Sequence, residues 1–305
     1  MDTQTGRGPL TAEGHKEERP DFDLTLDTLP LVRTAFEREV AEGLPPTRPA
    51  EVFHADGTTG AVELRRYRPR DVSEATPSRG TVFCIHGGGY VLGSARMMDG
   101  EAERLADALH ADVVNVDYPL APEHPHPAPL LACQAGLRAV AAGMPAGQPL
   151  LVSGNSAGGG LAAALVLKLL REGAPMVAAL DLHQPMLDHR TSGPEDARHS
   201  WTAEFNRLGW DALRGGAEPD DLFSPALARD LSGFPPTLLT IGEVDLFLDE
   251  CLDFAARLAR AGVEVDLCTF PNSAHAFERL QPGAQAERLR EVKLRFLDRH
   301  LAARP

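Results

Sequence analysis

A serine lies among small residues in the string Gly154-Asn155-Ser156-Ala157-Gly158-Gly159, which follows an apolar run and precedes a helical pattern. This is G-x-S-x-G in the strand, turn and helix context in which a serine hydroxyl stands clear of a sheet. Such a turn strains the serine backbone and leaves room only for small neighbours, which Gly154 and Gly158 provide. A helix N-terminus beside the hydroxyl also brings backbone N–H groups to the site. The pattern therefore predicts that Ser156 is a nucleophile.

A serine hydroxyl is a weak nucleophile, so it needs a general base and an acid that orients the base. Residues of both types follow the ends of successive predicted strands, namely Asp245 and His275. The chain order serine, aspartate, histidine is one that serine hydrolases with G-x-S-x-G use. We predict a triad of Ser156, Asp245 and His275, and Glu243 is an alternative for the acid.

Three glycines, Gly87 to Gly89, follow His86 at the end of another apolar run. Consecutive glycines leave backbone N–H groups uncovered, and such groups can bind a developing oxyanion. A flexible loop or a phosphate-binding nest would need the same composition. However, no Lys-Ser or Lys-Thr pair follows the glycines, as a Walker-type loop requires. The oxyanion interpretation is favoured.

The elements that carry these residues alternate regularly from Thr81 onward. Short apolar runs are predicted to be strands, and amphipathic or apolar runs of helical period are predicted to be helices. This alternation specifies a mostly parallel sheet with helices on both faces, which is the α/β class. The predicted strands are 62–65, 81–85, 112–117, 150–153, 177–182, 236–241 and 263–270. The predicted helices are 29–40, 101–110, 130–142, 157–171, 249–261 and 284–301.

One stretch, about 187–225, breaks the alternation and contains several turn signals. We interpret it as an insertion over the sheet and not as a second domain. It contains both tryptophans, Trp201 and Trp210, and also Phe205. Residues 1–25 are polar and are expected to be disordered or loosely attached. We divide the chain into an N-terminal segment, 1–50, and one catalytic domain, 51–305.

The chain resembles the hormone-sensitive-lipase family of α/β-hydrolases, the bacterial esterases with an HGGG motif. The resemblance runs from about Ala50 to His300. It rests on five strings in the family's order: His86–Tyr90, Asp117–Pro125, Gly154–Gly159, Asp245–Glu250 and His275–Phe277. It implies an α/β-hydrolase fold with a small helical cap formed by the N-terminal segment and the insertion.

The resemblance also implies roles for individual residues. Ser156 would be the nucleophile, His275 the general base and Asp245 the orienting acid. The amides expected in the oxyanion hole are those of Gly88, Gly89 and Ala157, with Gly87 a less certain third glycine. The residues expected to line the substrate site are Tyr90, Phe205 and Trp210.

Two positions depart from the family pattern. Asn155 precedes the nucleophile where the family usually has aspartate, so any charge-dependent role of that side chain is absent. Pro119 replaces the arginine of the Tyr-Arg-Leu-Ala-Pro-Glu string, which removes a cation near the catalytic loops. Both departures affect the expected substrate preference and local stability, and neither touches the triad.

The net charge is −14, from 30 basic and 44 acidic residues, and 43% of the 305 residues are hydrophobic. This composition is typical of a soluble globular protein, and the negative charge argues against nucleic-acid and anionic-membrane partners. No signal peptide or membrane-spanning run is found, and the four cysteines are widely separated. We expect a reduced, cytoplasmic protein without membrane insertion.

No metal or organic cofactor is expected. His124-Pro125-His126 has a ligand-like spacing but is better explained as a rigid turn. The expected partner is a small-molecule ester, and a homodimer stays open because family members often dimerise.

The predicted function is a serine carboxylesterase for short- to medium-chain neutral esters, acting through an acyl-enzyme. Acidic residues without lysine or arginine between Asp230 and Ala256 are expected to disfavour anionic substrates. One alternative is a specialised deacylase, acyltransferase or eliminating enzyme, although related plant dehydratases resemble a threonine variant at the nucleophile. The other is a non-catalytic receptor similar to the plant gibberellin receptors, which lack the catalytic histidine present here as His275.

Overall fold

The computed structural model describes residues 24–43, 45–58, 60–73, 75–193 and 200–302. Residues 1–23, which hold most of the segment expected to be disordered, and 194–199 of the insertion lie outside these ranges. The strands in chain order are β1 (Glu51–Gly57), β2 (Gly60–Tyr67), β3 (Thr81–Ile85), β4 (Asp112–Asp117), β5 (Leu150–Asn155), β6 (Ala179–His183), β7 (Thr237–Gly242) and β8 (Val265–Phe270).

These strands form one eight-stranded sheet in the order β1-β2-β4-β3-β5-β6-β7-β8. The first two strands pair antiparallel with their neighbours, and all pairs from β4 to β8 are parallel. Strand β5 therefore lies between β3 and β6 in the interior of the sheet. Every residue of β3 is buried, as its continuous apolar run predicts for a strand covered on both faces.

Helices cover both faces of the sheet. They are α1 (Leu29–Gly43), α2 (Asp99–Leu109), α3 (Ala128–Ala142), α4 (Ala157–Arg171), α5 (Ala203–Arg214), α6 (Leu248–Arg260), α7 (Phe277–Leu280) and α8 (Ala284–Leu301). Side chains of α2 and α8 share one apolar cluster with the sheet. Those of α3, α4 and α6 share another. This arrangement confirms the predicted α/β class with its mostly parallel sheet. No helix in the described ranges is long and apolar enough to cross a membrane.

The structure corrects several predicted elements. Strand β1 was missed because it is an edge strand with mostly exposed residues, so it lacks an apolar run. Helix α5 lies within the stretch predicted to be irregular, and Thr202 caps it by accepting the Phe205 N–H at 3.2 Å. The predicted helix 101–110 ends one residue earlier, because His110 adopts a left-handed conformation with φ of 50°. Strand β6 begins at Ala179 and not at Val177.

Candidate active site

The three predicted catalytic residues meet at the carboxyl edge of the sheet. Ser156 directly follows β5, Asp245 follows β7 and His275 follows β8. Ser156 Oγ lies 2.9 Å from His275 Nε2, and His275 Nδ1 lies 2.8 Å from Asp245 Oδ2. A carboxylate only accepts hydrogen bonds, so Nδ1 carries the proton and Nε2 accepts from the serine hydroxyl. Their exposed fractions are only 5–6%, so the pair of bonds is protected from bulk water.

The acid is fixed in place by its own loop. Asp245 Oδ1 accepts the Phe247 N–H at 2.9 Å, which leaves Oδ2 for the histidine. The Phe247 ring packs edge-on against His275 with 5.2 Å between ring centroids. Glu243, the alternative acid, is exposed to solvent. The geometry therefore joins Asp245, and not Glu243, to the histidine.

The nucleophile turn has the strained backbone that the glycine pattern predicts. Ser156 has φ of 55° and ψ of −119°, a conformation that costs a non-glycine residue about 1–3 kcal/mol. Three backbone bonds hold it: Ser156 N–H donates to the His183 carbonyl at 2.9 Å, and the Ser156 carbonyl accepts from Met186 N–H at 3.0 Å and from Gly160 N–H at 3.1 Å. A Cβ on Gly154 would lie 2.3 Å from the Gly158 carbonyl oxygen, so the turn closes only around glycine.

The glycine loop lies directly against this turn. A Cβ on Gly158 would lie 2.1 Å from the Ile85 carbonyl oxygen, and one on Gly87 would lie 3.2 Å from the Ser156 Cβ. Gly88 and Gly89 have φ of 115° and 59°, in the region that favours glycine. The backbone of the loop thus passes beside the serine with no side chain between them.

Two buried aromatic groups support the start of the loop. The His86 and Tyr118 rings stack at 4.1 Å, and the Tyr118 hydroxyl donates to the His86 carbonyl at 2.9 Å. Burial lowers the pKa of His86 below its usual range. The neutral imidazole donates from Nδ1 to the Gly87 carbonyl at 2.8 Å. Since that carbonyl is engaged, the direction of the peptide leading into Gly88 is set.

Trp201, which is not among the residues predicted to form the site, covers the glycine loop. A Cβ on Gly89 would lie 2.2 Å from Trp201 Cη2, so the indole rests on that glycine. Its ring centroid is 6.4 Å from that of His275, and the Ser200 hydroxyl donates to the His275 carbonyl. Helix α5 also approaches here, because a Cβ on Gly209 would lie 2.5 Å from the Gly89 carbonyl oxygen.

The three aromatic residues predicted to line the substrate site pack in two ring pairs, one of which includes Trp201. Phe205 packs on Trp201 with 5.9 Å between ring centroids. Trp210 is 3% exposed and packs on Tyr90 at 5.0 Å. The hydroxyl of Tyr90 donates to the Met186 carbonyl at 3.4 Å. Tyr90 therefore connects the glycine loop to helix α5 and to the chain after β6.

Arg33 of α1 brings a cation to the loop in which Pro119 replaces the family's arginine. Its guanidinium donates to both carboxylate oxygens of Glu123, at 2.7 and 2.9 Å. It also donates to the carbonyls of Val91 and Ala121, each at 2.8 Å. The hydrogen bonds from Arg33 lower the pKa of Glu123 to about 2. The N-terminal helix is thereby tied to the segment that follows the glycine loop.

The acidic residues between Asp230 and Ala256 differ in exposure and in charge, so they do not form one negatively charged cluster. Asp230, Glu243, Asp249 and Asp253 are exposed, and Arg257 lies 3.8 Å from Asp253. Glu250 is buried, and burial raises its pKa to about 8. Near neutral pH its carboxyl is therefore mostly uncharged. The negative charge at the site is smaller than the sequence count suggests.

No group of three or more histidine, cysteine or acidic side chains in the described part of the chain is arranged to hold a metal ion. His126 of the His-Pro-His turn packs edge-on against Phe223 at 5.5 Å, as a structural residue does.

Comparisons with known proteins place this chain in a family. Residues 82–279 match the family described as the alpha/beta hydrolase fold. The carboxylesterase NlhH of Mycobacterium tuberculosis is 33% identical over 295 residues, which cover 85% of this chain and 89% of the relative. The chain belongs to the α/β-hydrolase family. This confirms the resemblance to its hormone-sensitive-lipase branch of bacterial esterases.

Solved structures agree with this hydrolase over nearly its whole length. A bacterial heroin esterase superimposes with a TM-score of 0.82 at 31% identity, covering 90% of this chain and 92% of the other. Esterase LipW from Mycobacterium marinum gives a TM-score of 0.79 at 32% identity, with 92% of each chain covered.

Three features of the hydrolase site were not found from the sequence: Trp201, Arg33, and the side chain of Gln184, which donates to Asn155 Oδ1 at 3.1 Å and accepts the Ala276 N–H at 2.9 Å. Gln184 was detectable in principle, since it is a polar residue directly after the strand that neighbours β5. Trp201 was indicated only by its place before the cap residue of α5.

Proposed function

We propose that this hydrolase is a serine carboxylesterase. The observation that carries the proposal is the continuous hydrogen-bonded chain from Ser156 through His275 to Asp245, with bonds of 2.9 and 2.8 Å. His275 takes the serine proton from Oγ as Oγ bonds to the ester carbonyl carbon. It then returns the proton to the departing alkoxide, which leaves an acyl-enzyme. Water, activated by the same Nε2, cleaves that intermediate and restores the serine.

The oxyanion formed in each step needs hydrogen-bond donors placed in advance. We propose the backbone N–H groups of Gly88, Gly89 and Ala157 for this role. The close approach of Gly87 to Ser156 and of Gly158 to Ile85 supports it, because it brings the glycine loop and the start of α4 to the same side of the nucleophile. Removal of one such donor in other serine hydrolases lowers kcat by about 10²–10³.

Neutral esters with short to medium acyl chains are the proposed substrates. Trp201 supports this, since its indole lies on Gly89 and near His275 and so fills space beside the reacting carbonyl. We propose that residues 1–50 and about 187–225 form the cap. The contact of Arg33 with the Val91 carbonyl and the contact of α5 with Gly89 support that assignment.

Hydrolysis of p-nitrophenyl esters of increasing acyl length tests the proposal. Wild type is expected to hydrolyse the acetate and butyrate and to react covalently with a fluorophosphonate probe. Ser156→Ala should lose at least about 10³-fold in kcat and all labelling, whereas Ser232→Ala, at an exposed serine, should retain both. An inert wild type, or full activity in Ser156→Ala, would overturn the proposal.

Labelling also separates the receptor alternative, because a non-catalytic scaffold would bind without reacting. An alcohol acceptor added to the assay separates hydrolysis from acyl transfer. A hydrolase yields mainly the free acid, and a transferase yields mainly the new ester.

A further inference from the structure

Gln184 lies between the two catalytic loops without touching the triad. It directly follows β6, is fully buried, and donates its backbone N–H to the Thr240 carbonyl at 2.7 Å. Its side-chain Nε2 donates to Asn155 Oδ1 at 3.1 Å. Its Oε1 accepts the Ala276 N–H at 2.9 Å. One amide therefore connects the residue before the nucleophile to the residue after the catalytic histidine.

The backbone of Gln184 is strained in a way that serves this connection. Its φ is 42°, in the left-handed region, which costs a non-glycine residue about 1–2 kcal/mol. Such outliers persist where the surrounding structure requires them, and they cluster at functional sites. Ala276 is also left-handed, with φ of 58°. Both ends of the Gln184–Ala276 bond thus depend on unusual backbone conformations.

The neighbouring residue holds the same loop by a second contact. His183 Nε2 lies 3.1 Å from Glu278 Oε2, and the His183 ring packs edge-on against Phe277 at 5.8 Å. Burial opposes ionisation of Glu278, but its interaction with His183 lowers the pKa of the Glu278 carboxyl to about 2. Two residues at the end of β6, His183 and Gln184, therefore contact the segment after His275.

We propose that Gln184 is a positioning residue that sets the distance between Ser156 and His275 by bridging Asn155 and Ala276. The inference rests on the proposed esterase function. A glutamine suits the position because its amide offers a donor and an acceptor at once, so it can satisfy both loops. Asn155 fits the same scheme, because its oxygen accepts from Gln184 without placing another charge beside the triad. Misplacement of a catalytic group by about 1 Å can cost about 10²-fold in rate.

The main test replaces the amide by an apolar side chain of similar length. Gln184→Met is expected to lower kcat for p-nitrophenyl acetate by about 10- to 100-fold while KM stays within about twofold, since the bridge acts on the reacting groups and not on substrate binding. Gln134→Leu is the matched control. Gln134 is also a buried glutamine, and from α3 it donates at 2.7 Å to Glu172, which follows α4 at the end opposite Ser156. It should lose stability but keep kcat.

Asn155 variants test the hydrogen bond between Gln184 and Asn155, and they replace the main test if Gln184→Met does not fold. Asn155→Ala should lower kcat with KM unchanged, and Asn155→Asp should stay within about threefold because its oxygen still accepts the Gln184 N–H. The double variant Asn155→Ala/Gln184→Met should be no slower than the slower single variant, because both remove the same link.

The inference fails if Gln184→Met keeps kcat within twofold, if Gln134→Leu loses as much kcat, or if the two single losses multiply in the double variant. A wild type that neither hydrolyses the ester nor reacts with the fluorophosphonate would instead overturn the proposed function. The two failures are therefore distinguishable.

Discussion

Glu250→Gln is expected to make the protein more stable, by an amount that grows with pH. Glu250 Oε1 accepts the N–H of Leu187 at 2.6 Å and that of Asp188 at 3.4 Å, and Oε2 accepts the Thr191 hydroxyl. Glutamine retains the acceptor for Leu187, and its amide N–H can donate to the Thr191 oxygen. It therefore reproduces the protonated carboxyl at every pH.

The sign follows from the pKa. Burial raises the pKa of Glu250 from 4.5 to about 8 in the folded protein. Its protonated form thus stabilises the fold fully below about pH 4.5, and this contribution is lost as the pH rises through 8. Within that window the slope is at most about 1.4 kcal/mol per pH unit. Between pH 6 and 8 the wild type should lose up to about 2–3 kcal/mol relative to Glu250→Gln.

Urea unfolding of both proteins at pH 6, 7 and 8 measures this difference. Glu250→Leu is the control, because it leaves the buried Leu187 N–H without its acceptor and should cost about 1–3 kcal/mol even at pH 6. If the difference between wild type and Glu250→Gln were the same at all three pH values, the carboxyl would not titrate in this window and the reasoning would be refuted.

Three further outcomes are expected. Gly89→Ala should lower kcat/KM at least about tenfold, because its Cβ would lie 2.2 Å from Trp201 Cη2. In a double-mutant cycle, adding Trp201→Ala should recover about 1–3 kcal/mol of the lost transition-state stabilisation. Additive losses in kcat/KM would contradict that contact. Arg33→Met should lower Tm by about 2–4 °C and reduce kcat/KM more than Glu123→Gln does, because the loss of Arg33 also leaves the Val91 and Ala121 carbonyls without their donor. Equal effects of the two variants would show that only the ion pair between Arg33 and Glu123 matters. Neutral esters should be hydrolysed only modestly faster than carboxylate-bearing analogues, and about 0.5 M salt should remove this difference in rate. A large difference in rate that salt leaves unchanged would show that surface charge is not its cause.

The triad was predictable because its members follow strand ends, and parallel strands bring their carboxyl ends to one edge. The glycine loop was predictable because only glycine tolerates its close contacts with the chain around Ser156. Both inferences depend on local sequence and on one rule of topology. They required no knowledge of how distant side chains pack.

The remaining features depend on such packing. Trp201 precedes α5 and reaches Gly89 only through the path that the insertion takes over the sheet. Arg33 meets Glu123 from 90 residues away. Strand β1 forms through pairing with β2, and its own burial pattern is that of an exposed edge. In each case the structure is decided by contacts with a distant part of the chain and not by the local sequence.

The Arg33 contacts indicate where the functional domain of this enzyme begins. The stretch by which the chain matches its family covers residues 82–279, and Arg33 lies well before it. Yet Arg33 binds the Val91 and Ala121 carbonyls that follow the glycine loop. A recombinant fragment trimmed to residues 82–279 would keep the whole triad and lose the Arg33 hydrogen bonds, together with β1, β2 and α8. The limits of this family match alone are therefore too narrow for this protein, and expression or grafting designs should start upstream of α1.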